Sequence, residues 1–391
     1  MIIPKLAVRN LLGGGLRTWL NVIVLSFSFV AIIGMQGLYQ GMDRQMTRAL
    51  VDVEYGGGQY WHSEYDPYDP LTLQDAHGQP PAALAEKMEA GTAAGILIVQ
   101  GTIYPNGRIR TILLKGIDPS QKILELPSHT FASYDEDAIP GFIGTRMAKG
   151  SGLKKGDYVT VRWRDAQGTF DAKEIEVVEI ISTPVQTVDA NQIWIPLTTL
   201  QAMTDMMGEV SLVTIGKEYK EKTGYAGWIF RDHAYLLKDV RAMVKSKTIG
   251  GSIMYIILLS LAMIAIFDTQ ILSIFRRQKE MGTLMAMGLT RFKVIQLFTL
   301  EGTLNGVLAA LVGAIYGIPL LYYAATTGWA MPEGMDSYGF ALGRTLYPTY
   351  SAGLVAGTTI LVLIVTLIVS YLPTRKIAKL KPTDALRGKT A

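Results

Sequence analysis

Four apolar runs, each long enough to cross a lipid bilayer, limit what this chain can fold into. They cover residues 19–38, 253–275, 303–323 and 354–372. A bilayer core requires about 20 predominantly apolar residues per helix, and 49% of the 391 residues are hydrophobic. A stretch of mixed composition separates the first two runs. The sequence therefore predicts an α-helical membrane protein with four transmembrane helices and a large domain inserted between the first and second helices.

Basic residues precede the first run, join the second run to the third and follow the fourth run, and in a four-span chain all three of these flanks lie on one side of the membrane. Lys and Arg collect on the cytoplasmic side of membrane proteins, which predicts two cytoplasmic termini and a cytoplasmic connector between the second and third runs. The connector between the third and fourth runs carries Glu333, Asp336 and Arg344, as an outward-facing loop would. The net charge of +4 comes largely from the basic flanks and favours anionic lipid head groups over nucleic acid. The flanking residues are Lys5, Arg9, Arg17, the 276–293 stretch, Arg375, Lys376, Lys379, Lys381 and Arg387.

The predicted division of the chain follows from this topology. The first run is longer than the apolar part of a signal peptide and is expected to stay uncleaved. The segments are a cytoplasmic amphipathic N-terminal segment (1–18), transmembrane helices (19–42, 249–275, 299–325 and 350–372), an extracytoplasmic domain (43–248), a cytoplasmic coupling segment (276–298), an extracytoplasmic loop (326–349) and a cytoplasmic tail (373–391).

The outer segment alternates strand-like runs with turns. Strands are predicted at 95–104, 108–117, 158–163, 174–181, 192–195 and 210–215, and helices at 81–90, 198–207 and 233–246. Pro105-Asn106-Gly107 predicts a hairpin turn, and so does the stretch 165–168. The last helix is expected to run towards the second span with a break at Gly250 and Gly251. This pattern predicts an α+β domain, in one or two lobes.

No pattern for covalent chemistry or metal binding is found in the sequence. The four histidines show no paired ligand spacing, there is no cysteine, and the phosphate-binding motif of P-loop ATPases is absent. We therefore expect a chain that is not an enzyme, with no catalytic residue, metal or cofactor of its own. If ATP drives it, a partner chain binds ATP and Mg²⁺.

Small residues recur along the third run. Their spacing of three and four residues places them within an arc of about 80° on a helix, a smooth strip that allows close helix packing in lipid. The strip consists of Gly302, Gly306, Ala310, Gly313 and Gly317. Gly37 with Gly41, and Gly353 with Gly357, repeat the spacing. Whether the strip faces the same chain or a partner chain stays open at this stage.

Two carboxylates lie in or beside the apolar runs. A charge at membrane depth is costly and marks a candidate functional residue. Asp268 lies about 12 Å of helix rise before Arg276, and Glu301 lies at the start of the third run. The simpler interpretation, favoured here, is that both are interfacial groups bonded to neighbouring helices or lipid.

The connector 276–298 is basic and amphipathic. On a helix, Met281, Leu284, Met285, Gly288, Phe292 and Ile295 share one side. That side is expected to dock on a membrane or a protein. The alternative is a charged loop that only anchors topology.

Two motifs resemble those of the FtsX-like permeases, the membrane subunits of MacB-type (type VII) ABC transporters. One comprises Arg277 to Arg291 with Leu297, Glu301 and Gly302, and the other is the tail from Pro373 to Arg387. Residues 144–161 and 170–181 resemble the MacB-like core domain of that family, and 38–46 resemble its LolC/LolE branch. The stretch 63–90 matches no part of the family, and Asp268 departs from its pattern.

The resemblance implies mechanotransmission in the cell inner membrane, with a periplasmic outer domain. A cytoplasmic ABC ATPase dimer would close on ATP, and two permease chains, identical or paralogous, would move their outer domains. A periplasmic lipoprotein carrier or adaptor is a further possible partner. The implied contact with the ATPase involves Arg277, Glu280, Met281, Gly282, Leu284, Ala286, Gly288 and Arg291.

Three functions fit this resemblance. The first is extraction of lipoproteins or similar amphiphiles from the inner membrane. The second is MacB-like efflux of drugs, peptides or toxins from the periplasm in a tripartite pump. The third is FtsX-like regulation of a cell-wall hydrolase. A large outer domain favours the first two functions, because a signalling scaffold needs less surface. The resemblance of 38–46 to the LolC/LolE branch makes the first the expected one.

Overall fold

A computed structural model describes residues 7, 15–133, 138–183, 185–219, 224–330 and 345–377. The chain divides into two compact units. The helical unit comprises Met1–Met42, Met243–Ala330 and Leu346–Ala391, and the sheet unit comprises Asp43–Ala242 and Met331–Thr345. The predicted outward-loop residues Glu333, Asp336 and Arg344, and the tail from residue 378 onward, lie outside the described residues.

Ten helices and eleven strands are named within these described ranges. The helices are α1 (Gly15–Leu50), α2 (Ala82–Glu89), α3 (Thr145–Ser151), α4 (Gln186–Asn191), α5 (Leu197–Thr204), α6 (His233–Leu236), α7 (Lys238–Arg276), α8 (Gln278–Ala286), α9 (Arg291–Thr327) and α10 (Ala352–Ile377). The strands are β1 (Gln59–His62), β2 (Ala93–Ile103), β3 (Arg110–Ile117), β4 (Ile139–Gly144), β5 (Tyr158–Arg164), β6 (Phe170–Ile181), β7 (Gln192–Pro196), β8 (Leu212–Ile215), β9 (Trp228–Arg231), β10 (Trp329–Ala330) and β11 (Thr345–Leu346).

Four helices are long and apolar enough to cross a membrane, among the residues that the structure describes. The spans are Thr18–Tyr55, Lys238–Arg276, Arg291–Thr327 and Ala352–Arg375. Their shared core contains Val22 and Phe29 of α1, Met263 of α7, Ala309 of α9 and Val362 of α10. Many other apolar side chains on these helices are exposed, as expected for helices that face lipid.

Helix α7 continues through Gly250 and Gly251, so the predicted break there is wrong. A side chain at Gly251 would place its Cβ 2.7 Å from the ring of Tyr39 on α1. A larger residue would not fit at position 251, because the Tyr39 ring packs against α7 there. An isolated glycine lowers helix propensity by about 1 kcal/mol without ending a helix.

The nine strands of the sheet unit form one sheet in the order β3-β7-β4-β6-β5-β2-β8-β1-β9, so two lobes are not observed. Strand β2 also pairs with β3, which closes six of the strands into a ring. Pairs β3–β7 and β4–β6 are parallel, whereas β2 pairs with β3, β5 and β8 in antiparallel fashion. The closed part leaves few free strand edges.

Alternation along the strands builds a core on each face of the sheet. On β2, Leu97 and Val99 belong to one buried cluster, and Ile96 and Ile98 belong to the other, because successive side chains point to opposite faces. Fully burying one such side chain contributes about 1.5–3 kcal/mol.

The six strands predicted in the outer segment are all present, with boundaries that differ by a few residues. Sequence analysis missed β1, β4 and β9. Each of these strands has four to six residues, and none of them shows alternating burial.

Candidate coupling site

The connector between α7 and α9 folds as a short helix bounded by two breaks. Arg277 interrupts the helix after α7, and α8 then runs from Gln278 to Ala286. The chain turns at Gly288, whose φ of +97° lies in the left-handed region that glycine adopts readily. The Thr290 hydroxyl then accepts a hydrogen bond from the Lys293 amide at 3.4 Å and starts α9.

This turn corrects the predicted single apolar face. Met285 and Leu289 pack inward, against the buried side chains of Ile274, Val294 and Phe298. Phe292 is instead 66% exposed. The two parts of the connector thus have separate orientations, because the reversal at Gly288 ends the helical periodicity.

The outer side of the connector is exposed and mixed in character. It combines the charged Lys279, Glu280 and Arg291 with two large apolar side chains. These are Met287, which is 68% exposed, and Phe292. Sequence analysis did not include Met287 among the docking residues; its position directly before the helix-ending Gly288 was the available signal. An exposed apolar pair rimmed by charges is typical of an interaction surface.

Arg277 joins the connector to the start of α9. Its Nε donates a hydrogen bond to Glu280 Oε2 at 2.7 Å, and its Nη1 donates to both carboxylate oxygens of Glu301 at 3.0 and 3.1 Å. The guanidinium carbon lies 5.0 Å from the centroid of the Phe298 ring. One side chain therefore holds α8 and α9 together by ion pairs and a cation–π contact.

The environment keeps Arg277 charged. Burial lowers the pKa of this guanidinium, but the hydrogen bond to Glu280 and the negative charges of Glu301 and Glu280 outweigh burial and raise the pKa above its ordinary value. Arg277 and Glu301 are 23% and 12% exposed at their side chains. Removing one partner of so enclosed a pair takes from the other charge its closest ion-pair partner, which is destabilising.

The predicted coupling residues fall into three groups. Arg277 and Glu280 form one ion-paired cluster with Glu301, which was predicted only as an interfacial group. Gly282 is buried and Leu284 is half-buried, whereas Ala286, Gly288 and Arg291 are exposed. The side chain of Met281 lies outside what the structure describes.

Asp268 is exposed on α7. Within the described parts of the chain it has no hydrogen bond or ion pair, in contrast to Glu301. The structure therefore does not bring the two predicted carboxylates together.

The glycine strip on α9 packs within the helical unit. A Cβ at Gly302 would lie 2.3 Å from Ser370 Oγ of α10, and one at Gly306 would lie 3.2 Å from Leu363 of the same helix. At Gly317 it would lie 2.6 Å from Val30 of α1, and at Gly313 it would lie 3.4 Å from the Ser26 carbonyl. Ala310, between the two pairs, is half-buried. The strip thus packs against two helices of the same chain, α10 at one end and α1 at the other.

The other two glycine pairs differ from each other. A Cβ at Gly37 would collide with the Tyr350 ring, and one at Gly41 would collide with the Tyr347 carbonyl. The segment that precedes α10 therefore packs directly against these two glycines. Gly353 and Gly357 are exposed, and nothing lies within 4 Å of a Cβ at either position.

Two buried polar side chains lie beside Gly302, and sequence analysis did not identify them. The side-chain amide nitrogen of Gln270 on α7 lies 2.9 Å from the Gly302 Cβ position, beside Ser370. Gln270 and Ser370 are 6% and 0% exposed. Polar side chains between helices add hydrogen-bonding capacity to packing in a bilayer, and here they mark the meeting point of α7, α9 and α10.

These features define a multi-pass membrane protein with a sheet-rich domain and a structured connector between two spans. Residues 252–382 match the model of the FtsX-like permease C-terminal family. This part of the chain is therefore an FtsX-like permease domain, and the chain is similar to LolC and MacB, which are ABC transporter proteins.

Individual relatives cover different shares of the chain. The lipoprotein-releasing system transmembrane protein LolC of Neisseria meningitidis serogroup B (strain MC58) is 24% identical, covering 75% of this chain and 77% of that protein. The macrolide export ATP-binding/permease protein MacB of Shewanella sp. (strain ANA-3) is 20% identical, covering 98% of this chain and 60% of that protein. An uncharacterised ABC transporter permease of Methanocaldococcus jannaschii is 26% identical, over 40% of this chain and 38% of that protein.

A solved structure was also found in the comparison. The extracellular domain of the noncanonical ABC-type transporter YknZ from Gram-positive bacteria is 16% identical, covers 47% of this chain and 94% of the solved chain, and has a TM-score of 0.27.

Proposed function

We propose that the chain is the permease subunit of a transporter in which a separate ABC ATPase pushes on the connector. The observation that carries this proposal is the Arg277 cluster. A connector that served only as a topology anchor would not require an arginine bonded to Glu280 and to both oxygens of Glu301. A force applied to α8 would pass directly into α9 through that enclosed ion pair.

The same proposal assigns a mechanical role to the outer domain. The chain passes from one unit to the other at Met42/Asp43 and at Ala242/Met243, and both points fall inside helices, α1 and α7. We place the sheet unit in the periplasm and both termini in the cytoplasm of an inner-membrane protein. The active assembly would contain two permease chains and two ATPase subunits that bind ATP and Mg²⁺.

The proposed cargo is lipoproteins or similar amphiphiles of the inner membrane. The LolC relative from Neisseria meningitidis, 77% of whose length is covered, is named as part of a lipoprotein-releasing system. Exposed apolar surface on the long helices suits cargo that is already dissolved in the bilayer. A periplasmic lipoprotein carrier would then accept the released cargo.

A second candidate is efflux from the periplasm, as the name of MacB indicates for that protein. It is favoured by the similarity to MacB over 98% of this chain. An adaptor protein and an outer-membrane factor would then replace the lipoprotein carrier as partners.

Contact with the ATPase is tested by site-specific photo-crosslinking in native membranes. A photoreactive residue at Met287 or Phe292, both exposed on the connector, should crosslink to an ABC ATPase identified by mass spectrometry. The matched control is Met207, which is 61% exposed on the sheet unit and should give no ATPase adduct. Crosslinks from Met287 and Phe292 to lipid alone would contradict the proposal.

A further inference from the structure

A cleft opens on the sheet unit, where a 3-10 helix (Pro70–Gln74) lies over β2 and β5. Its volume is about 380 Å³, within the range of about 300–1,000 Å³ that is common for small-molecule sites. The buried side chains of Leu73, Val99 and Trp163 line it. These three side chains give the cleft an apolar floor.

The rim of this cleft also carries exposed apolar side chains, beside polar ones. Leu71, Tyr104 and Phe170 are 81%, 43% and 61% exposed, and all three line the opening. Single exposed apolar side chains need no explanation, but three around one concavity form a patch of the kind that binds apolar ligands. Covering them would contribute about 25 cal/mol for each Å² of apolar surface removed from water.

Two guanidinium groups give the cleft a positive charge. Arg162 lies over the Phe170 ring, with its guanidinium carbon 4.3 Å from the ring centroid. Arg164 donates hydrogen bonds to the Gly168 carbonyl and to Gln74 Oε1, each at 2.9 Å. Both acceptors are neutral. Neither arginine has a carboxylate within ion-pair distance in the described part of the chain.

Among the residues that the structure describes, one carboxylate lines the cleft, and it already accepts hydrogen bonds. Asp165 Oδ1 accepts hydrogen bonds from the amides of Gln167 and Thr169, at 3.0 and 2.7 Å, and so holds the β5–β6 turn. An anionic ligand could therefore pair with the Arg162 guanidinium without displacing a protein carboxylate from it.

We propose that this cleft binds a free fatty acid or a similar single-chain amphiphile with one anionic head group. Arg162 would pair with the head group, and the chain would lie over Leu73 between Leu71 and Phe170. The combination of an apolar floor, apolar side chains on the rim and an uncompensated guanidinium matches both parts of such a molecule. This inference concerns the sheet unit alone and does not depend on the transport role.

The test is photolabelling of the full-length chain in lipid nanodiscs with a decanoate that carries a diazirine in its chain. Peptide mass spectrometry should place the label at the 3-10 helix (Pro70–Gln74) or at the start of β6. Unlabelled decanoate should compete, whereas decanol and decylamine should not. Mapping the attachment site separates this signal from probe dissolved in the bilayer.

Two variants examine the two parts of the site. Arg162→Gln should lower cleft labelling about tenfold, the change that corresponds to about 1.4 kcal/mol, and Arg108→Gln, an exposed arginine elsewhere, should not. Leu71→Glu should have a similar effect through charge repulsion, with Ile109→Glu, 74% exposed, as its control. Unchanged labelling in Arg162→Gln and Leu71→Glu, equal competition by decanol, or label confined to the spans would overturn the proposal. The labelling experiment contains no ATPase. Its result therefore tests the cleft separately from the proposed transport function.

Discussion

Two glycine pairs with the same spacing behave in opposite ways in the helical unit. Gly302 and Gly306 on α9 lie against α10, where an added Cβ would come within 2.3 and 3.2 Å of neighbouring atoms. Gly353 and Gly357 on α10 lie on an open face, with nothing within 4 Å. The four-residue spacing of glycines therefore indicates only that another helix could pack closely there. Whether a helix does so depends on which part of the chain lies opposite.

The contrast also explains why α9 occupies the centre of the unit. Its glycines at 302 and 306 face α10, and those at 313 and 317 face α1. Between helices in lipid, close backbone approach increases dispersion contacts, which are individually about 0.1–0.2 kcal/mol but numerous. A helix with such positions at both ends serves as the packing surface for its neighbours.

The largest effect is expected from Gly302. Leucine there would collide with Ser370 and Gln270 and should prevent folding, and even Gly302→Ala should cost about 1–3 kcal/mol by overpacking. Thermal unfolding of the purified chain measures this cost. Adding Ser370→Gly to Gly302→Ala removes the two nearest opposing atoms and leaves Gln270 in place, so the double variant should regain part of the loss. No loss in Gly302→Ala would show that α9 and α10 are not packed in this way.

A smaller but clear effect is expected at Gly306 and Gly313. Alanine at Gly313 would make an ordinary contact at 3.4 Å, and at Gly306 its Cβ would lie 3.2 Å from Leu363, which must then shift by a few tenths of an ångström. Alanine also favours the helix by up to about 1 kcal/mol. Leucine does not fit, so Gly306→Leu and Gly313→Leu should lower the yield of folded protein several-fold. Wild-type yields from both leucine variants would mean that the strip faces lipid.

The smallest effect is expected at Gly353 and Gly357. Leucine at either exposed position should change the unfolding temperature little, within the about 0.5 kcal/mol typical of surface substitutions. Thermal unfolding of the monomeric chain is the measurement, with Gly306→Leu as the comparison. A large destabilisation at Gly353 would remove the distinction between the two pairs.

Much of this architecture follows from sequence periodicity. The apolar runs predicted the four long helices, and alternation predicted strands such as β5, where Val159, Val161 and Trp163 are buried between exposed neighbours. The missed strands β1 and β9 have only four residues each, and their pairing with each other depends on residues far apart in the chain.

The candidate site was only partly predictable. The sequence indicated the connector, but the pairing of Arg277 with Glu301 joins residues 24 apart through the turn at Gly288. The apolar periodicity placed Met285 and Phe292 on one face, and the structure separates them. The turn at Gly288, which has a positive φ, causes this separation, and helical periodicity in the sequence does not reveal such a turn.

The central claim, that ATP hydrolysis acts through the connector, is tested most directly by lipoprotein release from proteoliposomes that contain the permease and its ATPase. Ala286→Trp and Met287→Glu change the exposed face of the connector and leave the Arg277 cluster intact, whereas Glu280→Lys or a bulky residue at the buried Gly282 also disturbs internal contacts. A misplaced charge at a desolvated contact costs several kcal/mol. We predict at least about a tenfold loss of ATP-driven release in both exposed-face variants, reduced ATPase co-purification, and normal behaviour of Met207→Glu. Undiminished release and undiminished ATPase retention in both variants would contradict the account.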